Sequence, residues 1–167
     1  MSTAYLFALG TISTTFVGFS ALILVFRQTA GGGLSQLDSW VAMVFVQLGF
    51  IVTAGSLVPA LLALCGAPPA LIWRGCSATA GAVMGVFALS YLPRRRRVSG
   101  RRAPAFVWID VGLLSLATLV LIANAVGYPA APNGAAFSVG LTGVLFVAGI
   151  GFLHALGSLH RDARPAP

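Results

Sequence analysis

Hydrophobic positions along this chain gather into five long runs, at about residues 5–26, 40–64, 70–92, 104–126 and 137–159. Each reaches the ~20 residues that carry a helix across ~30 Å of hydrocarbon. The breaks between them are short. One holds Gly31, Gly32 and Gly33, one is the turn at 66–69, one is the arginine-rich stretch 93–103, and one is the uncharged 127–136 rich in Pro, Gly and Ala. Asp38 and Ser39 suit the N-cap of the second run, and Pro104 suits the first turn of the fourth. Pro59 predicts a kink in the second run. The first run is too long for the core of a signal peptide and has no basic residue before it, so it reads as an uncleaved span. The pattern predicts one all-α domain over residues 1–167, a polytopic integral membrane helical bundle of five transmembrane helices. A short cytoplasmic tail follows at 160–167.

Composition strengthens this. Hydrophobic residues make up 58% of the chain, charged residues 8%, and the mean hydropathy is +0.96. A soluble domain carries about 25% charged residues, and this chain has too few to cover a water-facing surface. The solvent expected is a lipid bilayer.

The net charge of +7 comes from ten Arg set against three Asp. Nucleic-acid binding needs a basic face on a folded surface, whereas these arginines cluster between the apolar runs or beyond them. Five spans place Arg27, the stretch Arg94, Arg95, Arg96, Arg97, Arg101 and Arg102, and the tail residues Arg161 and Arg164 on one side, with Arg74 alone on the other. The positive-inside rule then puts the N-terminus outside and the C-terminus inside. Arg74 lies one turn inside the third run, where it can snorkel to the interface. Cations that are all Arg, with abundant Ala, Gly and Pro, fit a GC-rich bacterial genome and hence a bacterial inner membrane. Trp40, Trp73, Trp108, Tyr5, Tyr91 and Tyr128 fall near run ends, as an aromatic belt does.

Asp110 is the acidic residue within a span. It lies about six residues into the fourth run, ~9 Å from its cytoplasmic end, where a carboxylate costs ~2.5–3.5 kcal/mol on insertion scales. It is expected to face a partner or a watery cavity. Gln47, Ser90 and His154 come out at similar depth on the second, third and fifth runs, and the four converge if those helices form one bundle. An Asp–His pair so placed can hold and move protons. The plainer reading leaves His154 on a backbone carbonyl and Asp110 reaching Arg101 or Arg102. Asn124, with Ala117 and Leu121, shares a face of the fourth run with Asp110. That face either lines a path across the membrane or is buried in an ordinary bundle.

Small residues recur at four-residue spacing: Gly10, Thr14 and Gly18; Ser77, Gly81 and Gly85; and Gly143, Gly151 and Ala155 with Val147 in the gap. Such stripes let helices approach closely, within the chain or between copies. Cys65 and Cys76 lie near the outer face, where an oxidising compartment permits a disulfide if their Cα atoms approach within ~7 Å; two free, packed thiols are the preferred reading. No metal, phosphate or nucleophile motif is legible. No cofactor is expected, and an enzyme is the least supported class.

Two functional readings remain. One is an oligomeric transporter or channel for protons or small cations, with Asp110 binding the ion, His154 tuning it, Gln47 coordinating it and other copies completing the walls. The other is a non-transporting accessory protein that packs on a membrane partner or a second copy through its glycine faces and holds anionic lipid headgroups with the basic stretch.

Overall fold

The computed structural model describes residues 3–29, 36–100 and 104–162. It contains five α-helices: α1 (Thr3–Thr29), α2 (Gln36–Leu64), α3 (Pro69–Ser99), α4 (Ala105–Val126) and α5 (Gly134–Asp162). All five are long and apolar enough to cross a membrane. The chain is therefore a multi-pass helical membrane protein. Gly31, Gly32, Gly33, Arg101, Arg102 and the tail beyond Asp162 lie outside the described residues, as do the side chains of Arg27, Asp38, Ala155 and Arg161.

Helices α2 to α5 form a four-helix ring in which each packs on the next and α5 closes back onto α2. Helix α1 stands outside this ring against α2 and touches α5 lightly. The core is apolar and tight: Val52, Met84, Leu121, Phe137, Leu141 and Val144 are at most 1% exposed. Large side chains such as Leu64, Leu89, Ile109 and Phe146 point outward. In water such a surface would be an aggregation liability; in a bilayer it is the face that meets lipid.

Most of the small-residue positions face other helices of the same chain. A Cβ on Gly81 would meet Ile122 of α4 at 3.0 Å, one on Gly140 would meet Leu121 at 2.6 Å, and one on Gly143 would meet Ala117 at 3.1 Å. On α1, Gly10 faces Ser56 of α2 and Thr14 lies 3.3 Å from Thr53, while Gly18 faces open space. Gly49 gives α1 its closest approach, against the side chain of Val17. Beside it the Ser13 hydroxyl donates to the Gly49 carbonyl at 2.8 Å.

Two local expectations need correction. Helix α2 starts at Gln36, before Asp38 and Ser39, so neither is its N-cap. The basic stretch is not all loop: α3 runs through Pro93 and Arg94–Arg97 to Ser99. Arginine is a good helix former, and the helix stops only where Gly100 adopts φ 61° and its N–H bonds the Arg96 carbonyl. The two cysteines are free thiols, Cys65 exposed at the α2–α3 turn and Cys76 buried on α3.

Candidate functional site: a charged cavity within the four-helix ring

The ends of α2, α3, α4 and α5 nearest the basic stretch enclose a cavity of about 130 Å³. At ~30 Å³ per water molecule this admits several waters or one small ligand. Its walls follow from helical phase. On α3, Phe87, Tyr91 and Arg95 recur at four-residue spacing and turn inward together. On α4, Phe106, Asp110 and Leu114 do the same, joined by Val107 and Val111; α2 contributes Leu37, Val41, Val44, Phe45 and Leu48, and α5 contributes Val147, Ala148, Gly151 and His154. The walls are mostly aliphatic and aromatic, and the charges are Asp110 and Arg95.

Asp110 is half-buried on α4, and its Oδ1 is shielded without a hydrogen-bond partner among the described residues. Its Oδ2 sits beside Gly151 of α5, where a Cβ would come within 3.6 Å of it and 3.1 Å of the Phe45 ring. Glycine at 151 thus makes room for the carboxylate and for Phe45. That ring joins Phe16 and Phe152 in an edge-to-face trio with centroids 5.2–6.2 Å apart, which holds α1, α2 and α5 together beside the cavity.

Arg95 is only 9% exposed and lines the same cavity without bonding Asp110 Oδ1. Tyr91 stands one turn before it, its ring 5.1 Å from Trp40 and 6.2 Å from Phe87. His154 stacks flat on Phe106 at 4.9 Å, and its Nδ1 lies 3.0 Å from the Ile150 carbonyl. His154 thus lies on a backbone carbonyl, as the plainer reading has it, and lines the cavity that Asp110 also lines.

Gln47 and Ser90 do not join them. They lie with Arg94 on a separate groove between α2 and α3, facing away from the ring, because 47 falls on the exposed side of α2 while 44, 45 and 48 turn inward. Ser90 donates to the Phe87 carbonyl at 3.1 Å. Arg94, Arg96 and Arg97 are exposed on the α3 extension.

Asn124 belongs to the opposite end and is fully employed there. Its Nδ2 donates to Ser77 Oγ at 2.8 Å and to the Asn133 carbonyl at 3.0 Å, and its Oδ1 accepts from the Asn133 N–H at 3.0 Å. This ties the α4–α5 connection to α3. Asn133 in turn caps α5 by accepting from the Ala136 N–H at 2.9 Å. Arg74 does not simply snorkel: its Nε donates to the Ala125 carbonyl at 3.1 Å, which complements the C-terminus of α4. Between Asp110 and Asn124, α4 is buried at Leu114, Ala117, Thr118 and Leu121. The hydroxyls of Thr118, Ser56 and Thr142 all donate back to their own helices. The shared face of α4 is therefore packed core rather than a polar path.

Sequence reasoning assigned Arg95 and Tyr91 to the membrane surface. Continuing the phase of Phe87 and Tyr91 past Pro93 would have turned Arg95 inward. The chain matches no protein-family model, and no curated protein or solved structure is significantly similar to it.

Proposed function

We propose that the protein is a small transporter that loads a proton or small cation at Asp110, working in a bacterial inner membrane with its N-terminus outside. The observation that carries this is the Asp110 carboxylate, placed in a cavity inside the four-helix ring with one oxygen unpaired. An ionisable group is expensive at this depth and usually marks an ion or proton pathway. Residues from four helices of one chain line the cavity, which supports loading at Asp110 within a single copy.

The packed half beyond Leu114 favours a carrier that alternates between two arrangements over a standing channel. Exposed Arg94, Arg96 and Arg97 serve the same orientation by meeting anionic headgroups, each contributing ~1 kcal/mol near such a surface. The accessory reading draws little from the glycine faces, since most of them are occupied within the chain.

The test is flux of protons and small cations into proteoliposomes. Wild type is expected to dissipate an imposed gradient, Asp110→Asn to lose that activity with its helix content unchanged, and Gln47→Ala to keep it. Absence of flux in the wild type, or equal flux in Asp110→Asn, would overturn the proposal.

A further inference from the structure

We infer that Arg95 is a selectivity residue that closes the Asp110 site to metal cations and leaves the proton as its substrate; this rests on the transport reading above. Three features of the cavity support it.

Arg95 is buried and lines the same chamber as the carboxylate. Arginine keeps its charge at every accessible pH. In a low-dielectric enclosure that fixed charge opposes any second cation far more strongly than it would in water.

The walls also offer a metal ion very little. Around Asp110, α2 presents only apolar side chains to the cavity, α3 presents Tyr91 and Arg95, and α5 presents His154. Calcium and magnesium take six or more oxygen ligands, and the side-chain oxygens that line the chamber are those of Asp110 and Tyr91. A proton needs no such shell: it adds to one carboxylate oxygen, and the O–H bond it forms neutralises Asp110.

Finally, Arg95 does not saturate the carboxylate, because Asp110 Oδ1 is without a partner. A carboxylate committed to a full ion pair would hold its charge against protonation. The Arg95 charge disfavours every added cation in the chamber, but a proton is neutralised in the O–H bond it forms on Asp110 and needs no coordination shell, so the metal cation is the one excluded. Truncating it removes the charge and frees volume in which water, and a hydrated cation, can sit.

The experiment compares proton flux with sodium and potassium flux in proteoliposomes of the wild type, Arg95→Ala and Arg95→Lys. Wild type is expected to carry protons and to match empty vesicles for sodium and potassium. Arg95→Ala is expected to raise metal-cation flux by about tenfold or more, the order of effect of removing one fixed charge from the chamber walls. Arg95→Lys, which keeps the charge, is expected to stay proton-selective. Sodium or potassium flux in the wild type at rates near those of protons would overturn the inference and leave the transport reading standing. So would an Arg95→Ala variant that folds and stays as selective as the wild type. If Arg95→Ala does not fold, the wild-type selectivity decides alone. Absence of flux for every ion in the wild type would overturn both.

Discussion

At the residue scale, three polar side chains divide the work of the molecule. Asp110 and Arg95 put charge into a cavity, whereas Asn124 is a structural bracket whose amide donors and acceptor oxygen are engaged. Asn124→Ala leaves Ser77 and both backbone groups of Asn133 without those bonds. It should lower stability by about 1–3 kcal/mol, read as the unfolding midpoint in detergent, with Ser77→Ala losing less. Equal stability of Asn124→Ala and wild type would contradict the bracket. The thiols separate in the same way. A maleimide should label Cys65 in the folded protein and reach Cys76 only after unfolding; protection of both under oxidising conditions and release by reductant would indicate a disulfide instead. Asp110 was legible in the sequence because a lone carboxylate in an apolar run has few inexpensive places to go. Arg95 was not, because four consecutive arginines read alike until helical phase separates the one that turns inward.

The helices were legible for a different reason. Runs of ~20 apolar residues leave a chain in lipid few alternatives, and all five were placed within several residues of their observed ends. The errors fall where polar residues continue a helix beyond the apolar run, as at Gln36–Ser39 and Arg94–Ser99. Hydropathy does not see such extensions. Nor could spacing say which partner each glycine stripe meets, since that depends on how helices are rotated in the ring. The observed rotations make the stripes testable. Gly140→Ala drives a Cβ against the buried Leu121 at 2.6 Å, and overpacking of this kind costs about 1–3 kcal/mol. Gly112→Ala meets open space and should be neutral or slightly stabilising through helix propensity. Thermal unfolding of the two variants side by side checks the pair, and an equal loss in both would show that the α4–α5 contact is not as tight as described.

Across the whole molecule, one end of the four-helix ring is hollow and charged while the rest is filled with apolar side chains. Gln47 was expected among the cavity residues and Tyr91 was not, because depth along the membrane can be counted from sequence while facing cannot. The architecture gives Asp110 a chamber at the basic end and a barrier of Leu121, Leu141, Val144 and Met84 towards the other. The transport proposal and the role given to Arg95 both depend on that chamber reaching water from the basic side. Cysteine accessibility tests this most directly. In a background with Cys65→Ser and Cys76→Ala, Val111→Cys would be exposed to a membrane-impermeant sulfonate thiol reagent from each side in turn, with Leu121→Cys as the comparison. The account predicts modification of Val111→Cys from the side bearing the arginine stretch alone, and none of Leu121→Cys from either side. Labelling of Val111→Cys from the opposite side, or from neither, would contradict it.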